Sequence, residues 1–150
     1  YWEVPAGEET AATPRWVDGP RDGLFEAFRS GVGHDLPIIA ENLGVITEEV
    51  EALRRRFNLP GMAVFQFGFG SDAASSGLPP FRFTPDMAAY SGTHDNDTIV
   101  GWWHHVSKTD RGIRDYIRAY YDTNGREFNW LVIRALMESV ANMAIFPVQD

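Results

Sequence analysis

The densest chemistry in this chain lies in Gly92-Thr93-His94-Asp95-Asn96-Asp97-Thr98. An imidazole, two carboxylates, a carboxamide and two hydroxyls occupy neighbouring positions there. The run follows an apolar approach and precedes a helix-forming stretch, so it belongs at the end of a strand. Strand ends are where α/β barrels gather polar heads at one mouth of the sheet. A second strand-end carboxylate stands upstream, where Leu36-Pro37-Ile38-Ile39-Ala40 runs apolar into Glu41. Among Ile38, Ile39, Ala40 and Leu43, Glu41 suits a general acid, because apolar surroundings disfavour a bare carboxylate and keep its proton on. Asp95, between His94 and Asn96, suits an ionised carboxylate that orients hydroxyls or stabilises developing positive charge.

Each residue also has a plainer reading. Glu41 can cap the loop after its strand. Asp95, Asn96 or Asp97 can cap a helix starting near Thr98, and Asp97 is best placed for it. His94 and Asp95 are therefore read as functional and Asp97 as structural. His94, Asp95 and Asp97 are metal-ligand types, but no HxH, HExxH or oxygen-rich calcium loop accompanies them, so no metal is expected. A nucleophilic triad is disfavoured, since the chain has no GxSxG elbow and no cysteine. His34-Asp35 resembles His94-Asp95, yet it lies in a Gly-flanked loop before its strand and reads as surface at the opposite rim. His104 and His105 fall within a helix with no evident partners. Arg54, Arg55 and Arg56 read as a solvated helix end. Phe65, Phe67 and Phe69 alternate along one strand face, with Phe67 near the end where a flat ring can be stacked upon.

These residues need elements to position them. Residues 1–37 are punctuated by Pro and Gly and leave room for one short helix over 24–29. A short buried strand is expected at 38–41. A helix follows from Thr47 as N-cap, with Glu48 and Glu49 in the turn where the dipole favours anions and the arginines in the last, where it favours cations. Val50, Leu53 and Phe57 face the sheet, and Asn58 and Pro60-Gly61 end the helix. Further strands are expected at 62–67, 88–92 and 144–148, and helices at 99–106, from Thr109-Asp110 to about Tyr121, and at 128–142. The long Gly/Ser/Pro loop over 68–86 reads as functional or mobile. This order predicts a parallel α/β fold. Continuously apolar parallel strands need cover on both faces or closure. The expected architecture is the C-terminal half of a (β/α)8 barrel, its last four strands with their helices, with residues 1–150 forming one partial domain truncated at both ends.

Composition bounds the partners. The net charge of −8 argues against nucleic acid and against an anionic membrane surface. No apolar stretch approaches ~18 residues, so no membrane span is expected. The absence of cysteine excludes a disulfide framework and a thiolate metal site and fits a cytoplasmic location. Aromatics reach 13%, with five Trp, which serve cores and stacking alike. The chain opens on Tyr1-Trp2 rather than Met, and a fragment of a longer enzyme is expected.

Several blocks, in order, resemble the 4-α-glucanotransferase family (amylomaltase or disproportionating enzyme). They are Tyr1-Trp2-Glu3-Val4-Pro5-Ala6-Gly7-Glu8, Leu36 through Thr47, Leu59-Pro60-Gly61-Met62 with Gln66-Phe67, and Gly92 through Thr98 with Gly101-Trp102. The similarity runs over essentially the whole chain. It implies a (β/α)8 barrel with inserted subdomains that transfers α-1,4-glucan segments between malto-oligosaccharides, with retention and no cofactor. By that resemblance Glu41 is the general acid/base. Asp95 is the carboxylate on the sugar whose bond is broken, with His94 beside it on the same sugar. Phe67 is an aromatic near the acceptor side, and Asn96 belongs to the same substrate-binding block. The family's nucleophilic Asp belongs to a block expected before Tyr1. A retaining mechanism needs two carboxyls roughly 5–5.5 Å apart, and no residue here is placed to attack. Asn42 stands where many members have Asp, which changes the charge beside Glu41. Three alternatives remain at this stage: a related α-glucan hydrolase, a non-catalytic glucan-binding fragment, and a chain with no stable function alone.

Overall fold

A computed structural model describes residues 1–10, 12, 15–33, 36–69 and 78–150. His34 and Asp35, expected at the surface, lie outside the described residues, as does the 70–77 part of the expected long loop. The chain forms two compact units, Tyr1–Pro37 and Ile38–Asp150.

The first unit contains a hairpin and a helix. β1 (Trp2–Glu3) pairs antiparallel with β2 (Arg15–Trp16). The pairing closes through Tyr1 N donating to Val17 O at 2.8 Å and Val17 N donating back at 2.9 Å. Sequence reading treats this stretch as irregular, because strands this short carry no alternation to detect. The expected helix over 24–29 extends in the structure as α1 (Asp22–Val32).

From α2 onward the second unit follows the expected order of elements. α2 (Glu48–Arg56) starts from Thr47, whose hydroxyl accepts from Val50 N. β3 (Gly61–Val64), β4 (Met87–Tyr90) and β5 (Met143–Ile145) form a parallel sheet in the order β3-β4-β5. Between β4 and β5 come α3 (Ile99–Thr109), α4 (Arg111–Tyr121) and α5 (Phe128–Met137). Asp110 caps α4 by accepting from Ile113 N at 2.9 Å. The core gathers on Phe65, which is fully buried and meets Phe69, Trp102, Tyr121 and Phe128. Trp103 stacks on Phe128 at 4.2 Å, and Ile99, Ile117, Val132 and Leu136 fill in around them.

Four expectations need correction. The parallel sheet is three-stranded among the described residues, because residues 38–41 do not enter its ladder. Ala40 N donates to Pro60 O at 2.8 Å, but Pro60 has no N–H to return, and Met62 N goes instead to the Asn42 side chain at 2.8 Å. Second, the strand expected over 62–67 stops at Val64 and tightens into a 3₁₀ turn over Phe65–Phe69. That turn breaks the alternation. Phe65 and Phe69 meet in the core at 4.9 Å, and Phe67 does not share their burial. Third, α5 ends at Met137 rather than continuing to 142, as Ser139 Oγ donates to Leu136 O at 2.7 Å. Fourth, the cap of α3 is Thr98, which accepts from Gly101 N; Asp97 instead accepts from Thr98 N at 2.7 Å.

The arginine run also divides. Arg55 and Arg56 are exposed, but Arg54 is only 8% exposed and lies on the face that buries Phe57. Its guanidinium donates to Glu51 at 3.0 Å, Leu59 O at 2.6 Å and Asp86 at 2.8 Å. It thereby ties the end of α2 to the start of β4. Burial opposes ionisation of Glu51. Hydrogen bonds from Asn42 and Arg54 and the charges of Arg54 and Arg55 outweigh it and hold the carboxyl below its usual value. The Thr84 hydroxyl and then Arg54 hold Asp86 low, against a smaller effect of burial.

Carboxyls depressed by folding add stability that is complete above their unfolded values, near 4, and is lost as pH falls through the folded ones. Arg54→Ala in the full-length protein is expected to cost about 2–4 kcal/mol at neutral pH. Its deficit should shrink as the pH drops below about 4. Urea midpoints of parent and variant at pH 7 and pH 3.5 check this; an equal gap at both would contradict it.

Candidate active site

Because β3, β4 and β5 are parallel, the segments that follow them emerge at one edge of the sheet. Chemistry in open and closed parallel sheets collects at that carboxyl edge. The opposite edge is stitched by Gly61 N to Asp86 O at 2.9 Å, Asn142 N to Pro85 O at 3.2 Å and the Arg54 bonds.

At the carboxyl edge, Glu41, Phe67, His94 and Asp95 line one cavity of about 430 Å³. Phe67 reaches it because the 3₁₀ turn points Phe65 and Phe69 elsewhere. Tyr90 and Thr93 line it too, and burial pushes the Tyr90 hydroxyl up from its usual value. Ile145, Phe146 and Pro147 add an apolar wall. Sequence reading passed over that wall, although its signal was present: residues just past a parallel strand must share the mouth with those past its neighbours. A second cavity of about 390 Å³, lined by Phe81, Tyr120 and Arg134 among others, holds none of the expected site residues.

The 92–98 run is a braced turn. Asn96 Oδ1 accepts from Thr93 N at 2.9 Å and from Thr93 Oγ1 at 2.8 Å, and Thr93 Oγ1 accepts from Asp95 N at 3.3 Å. Asn96 thus turns inward to hold the loop and is not among the cavity-lining residues, whereas His94 and Asp95 are exposed in it. His94 Nε2 lies 3.4 Å from Asp95 Oδ1, with both side chains about four-fifths exposed or more, so this pair adds little to stability by itself. Gln66 braces the turn from β3's side: its Nε2 donates to Asp97 O at 2.8 Å. Gly92 makes that reach available, since a Cβ there would meet Gln66 Nε2 at 2.9 Å.

Glu41 is exposed at the cavity, and its segment is anchored through Asn42. The Asn42 amide donates to Glu51 at 2.7 Å while its carbonyl accepts from Met62 N. Gly61 accommodates it, as a Cβ there would stand 2.7 Å from Asn42 Oδ1. An amide satisfies one donor and one acceptor at once. Asn42→Asp would set two carboxylates against each other. It is expected to destabilise by about 1–2 kcal/mol at pH 7 and by less at pH 5, as one of the two takes up a proton. Melting curves at the two pH values check this; a loss independent of pH would contradict it.

Among the described residues no group of three or more His, Asp and Glu is arranged to hold a metal ion, and no helix is long and apolar enough to cross a membrane.

Comparison with known proteins supplies the family. The family model for 4-alpha-glucanotransferase matches residues 1–150. The chain belongs to the 4-alpha-glucanotransferase family. A curated 4-alpha-glucanotransferase from Synechocystis is 44% identical over 151 residues, covering 100% of this chain and 29% of that protein. An Arabidopsis thaliana 4-alpha-glucanotransferase named chloroplastic/amyloplastic is 43% identical, covering 100% of this chain and 25% of its own length. Among solved structures, the amylomaltase from Streptococcus agalactiae in complex with acarbose aligns with a TM-score of 0.85 at 35% identity, over 99% of this chain and 30% of that one. The chain therefore spans less than a third of the 4-alpha-glucanotransferases it matches. Its mixed α/β fold with a parallel three-stranded sheet corresponds to part of the amylomaltase structure.

Proposed function

We propose that these 150 residues are part of the catalytic barrel domain of a 4-α-glucanotransferase, and that Glu41 and Asp95 act on one glucose ring of an α-1,4-glucan. The carrying observation is that Glu41, Asp95, His94 and Phe67 line one cavity although up to 54 positions separate them in sequence. The three strands are read as part of the C-terminal half of a (β/α)8 barrel. Their parallel order supports this, because such sheets are found covered on both faces or closed.

In this reading Glu41 donates its proton to the glycosidic oxygen as the bond from C1 to that oxygen breaks. A carboxylate attacks C1 from the opposite face and forms a glycosyl ester. Glu41 then removes the proton from the acceptor hydroxyl, whose oxygen displaces the ester and restores the original configuration. Asp95, ionised, stabilises the positive charge that develops on the ring, and His94 holds hydroxyls of the same sugar. Phe67 offers its ring to the acceptor, favouring a sugar over water at the second step. The attacking carboxylate is assigned to no residue of this chain, so the isolated chain is expected not to turn over. The expected partners are malto-oligosaccharides and α-1,4-glucans, the expected location is the cytoplasm, and no cofactor enters the reaction.

Incubating the full-length protein with maltotriose tests the reading. Transfer gives glucose plus a ladder of longer oligomers. Short sugars alone would contradict it and favour a hydrolase on the same site.

A further inference from the structure

The 92–98 turn carries His94 and Asp95, yet its own hydrogen bonds fix only its internal shape. Gln66 holds it from β3's side at Asp97 O, and a residue far along the chain holds both of its ends. Asp150 accepts from Ser91 Oγ at 2.5 Å through one carboxylate oxygen and from Ile99 N at 2.8 Å through the other. Ser91 is the residue just before the turn and Ile99 the first residue of α3, so one carboxylate holds both ends of the run. Ser91 and Ile99 are both fully buried, and a fully buried hydroxyl must be satisfied within the protein. Asp150 is itself held, since its backbone carbonyl accepts from Asn129 Nδ2 of α5 at 2.9 Å.

We infer that Asp150 is a positioning residue: it sets the height of the His94–Asp95 turn over the cavity and so sets the rate of transfer. Its carboxylate acts on the pair through Ser91 and Ile99, which it holds by hydrogen bonds. The inference rests on the transferase reading above, and displacing a reacting group by about 1 Å is enough to cost up to 10²-fold in rate. The charge of Asp150 also faces the first turn of α3, where the helix favours an anion. Positioning, however, requires the hydrogen bonds rather than the charge. An Asn at this place keeps a carbonyl for Ile99 N–H and gains an amide that donates to Ser91 Oγ.

The test compares the full-length parent with D150A, D150N and S91A in maltotriose transfer, with kcat expressed per folded molecule and folding followed by near-ultraviolet circular dichroism. Asp150→Ala is expected to lower kcat about tenfold to a hundredfold while the donor KM changes less than about threefold. Asp150→Asn is expected to recover kcat to within about threefold of the parent. Should D150A fail to fold, Ser91→Ala, which removes one tether and leaves the strand intact, is expected to lower kcat about three- to tenfold. A purely structural Asp150 would shift the melting temperature and leave kcat per folded molecule unchanged, and that result overturns the inference. So does an Asn variant as slow as the Ala variant. A parent active in transfer with unchanged variants defeats the inference alone; a parent without transfer defeats the functional reading and the inference with it.

Discussion

Glu41→Gln in the full-length protein is expected to reduce transfer from maltotriose by about 10²–10⁴-fold, the usual contribution of a positioned proton donor. Gln keeps the shape and removes the proton that the departing oxygen must receive. Glu41 lies exposed at the cavity with its segment pinned by Asn42 to β3 and to Glu51, so among the described residues the substitution breaks no hydrogen bond that holds the segment. kcat and kcat/KM should fall together, because the lost contact matters only as the bond breaks. A donor whose leaving group needs no proton separates this role from others. With an α-maltosyl fluoride the first half-reaction should return, and the glycosyl ester should accumulate for want of the base that completes the second. Near-normal transfer from maltotriose in the Gln variant would remove Glu41 from the mechanism.

Asp95→Asn should fail differently. Its carboxylate is proposed to face the sugar ring as positive charge develops, so the loss falls on kcat, by about 10²–10³-fold, the range found for one electrostatic stabiliser. The same group holds the donor before reaction, so KM should rise as well, and a fluoride donor should give no rescue. The turn itself should survive, since Thr93 and Asn96 brace it through bonds that do not use the Asp95 side chain. An unchanged kcat/KM for maltotriose, or a full rescue by the fluoride donor, would reject the proposed role.

Local chemistry was legible in the sequence and long-range closure was not. Thr47 and Asp110 were readable as caps because a cap is decided within four residues. Asp97 was misjudged for the same reason in reverse: it and Thr98 both fit locally, and the backbone path gave the role to Thr98. Residues 38–41 look like a strand by composition, but strand membership needs a partner, and Pro60 cannot donate to one. The phenylalanine alternation was real, yet a 3₁₀ turn reads it with a period near three and separates Phe67 from its neighbours. Asn96 shares a block with residues that line the cavity but spends its carbonyl on Thr93. Asp150, 51 positions beyond Ile99, carried no motif at all, and only the three-dimensional path reveals what it holds.

The central claim is that two acidic side chains from separate strand ends reach the same sugar. A crystal structure of the full-length protein with acarbose, the ligand present in the Streptococcus agalactiae amylomaltase structure, tests it most directly. The expected result places Asp95 in hydrogen-bond contact with the hydroxyls of one ring and Glu41 within about 3 Å of the oxygen or nitrogen linking that ring to the next. Acarbose bound away from the Glu41–Asp95 cavity, or touching only one of the two, would contradict the account.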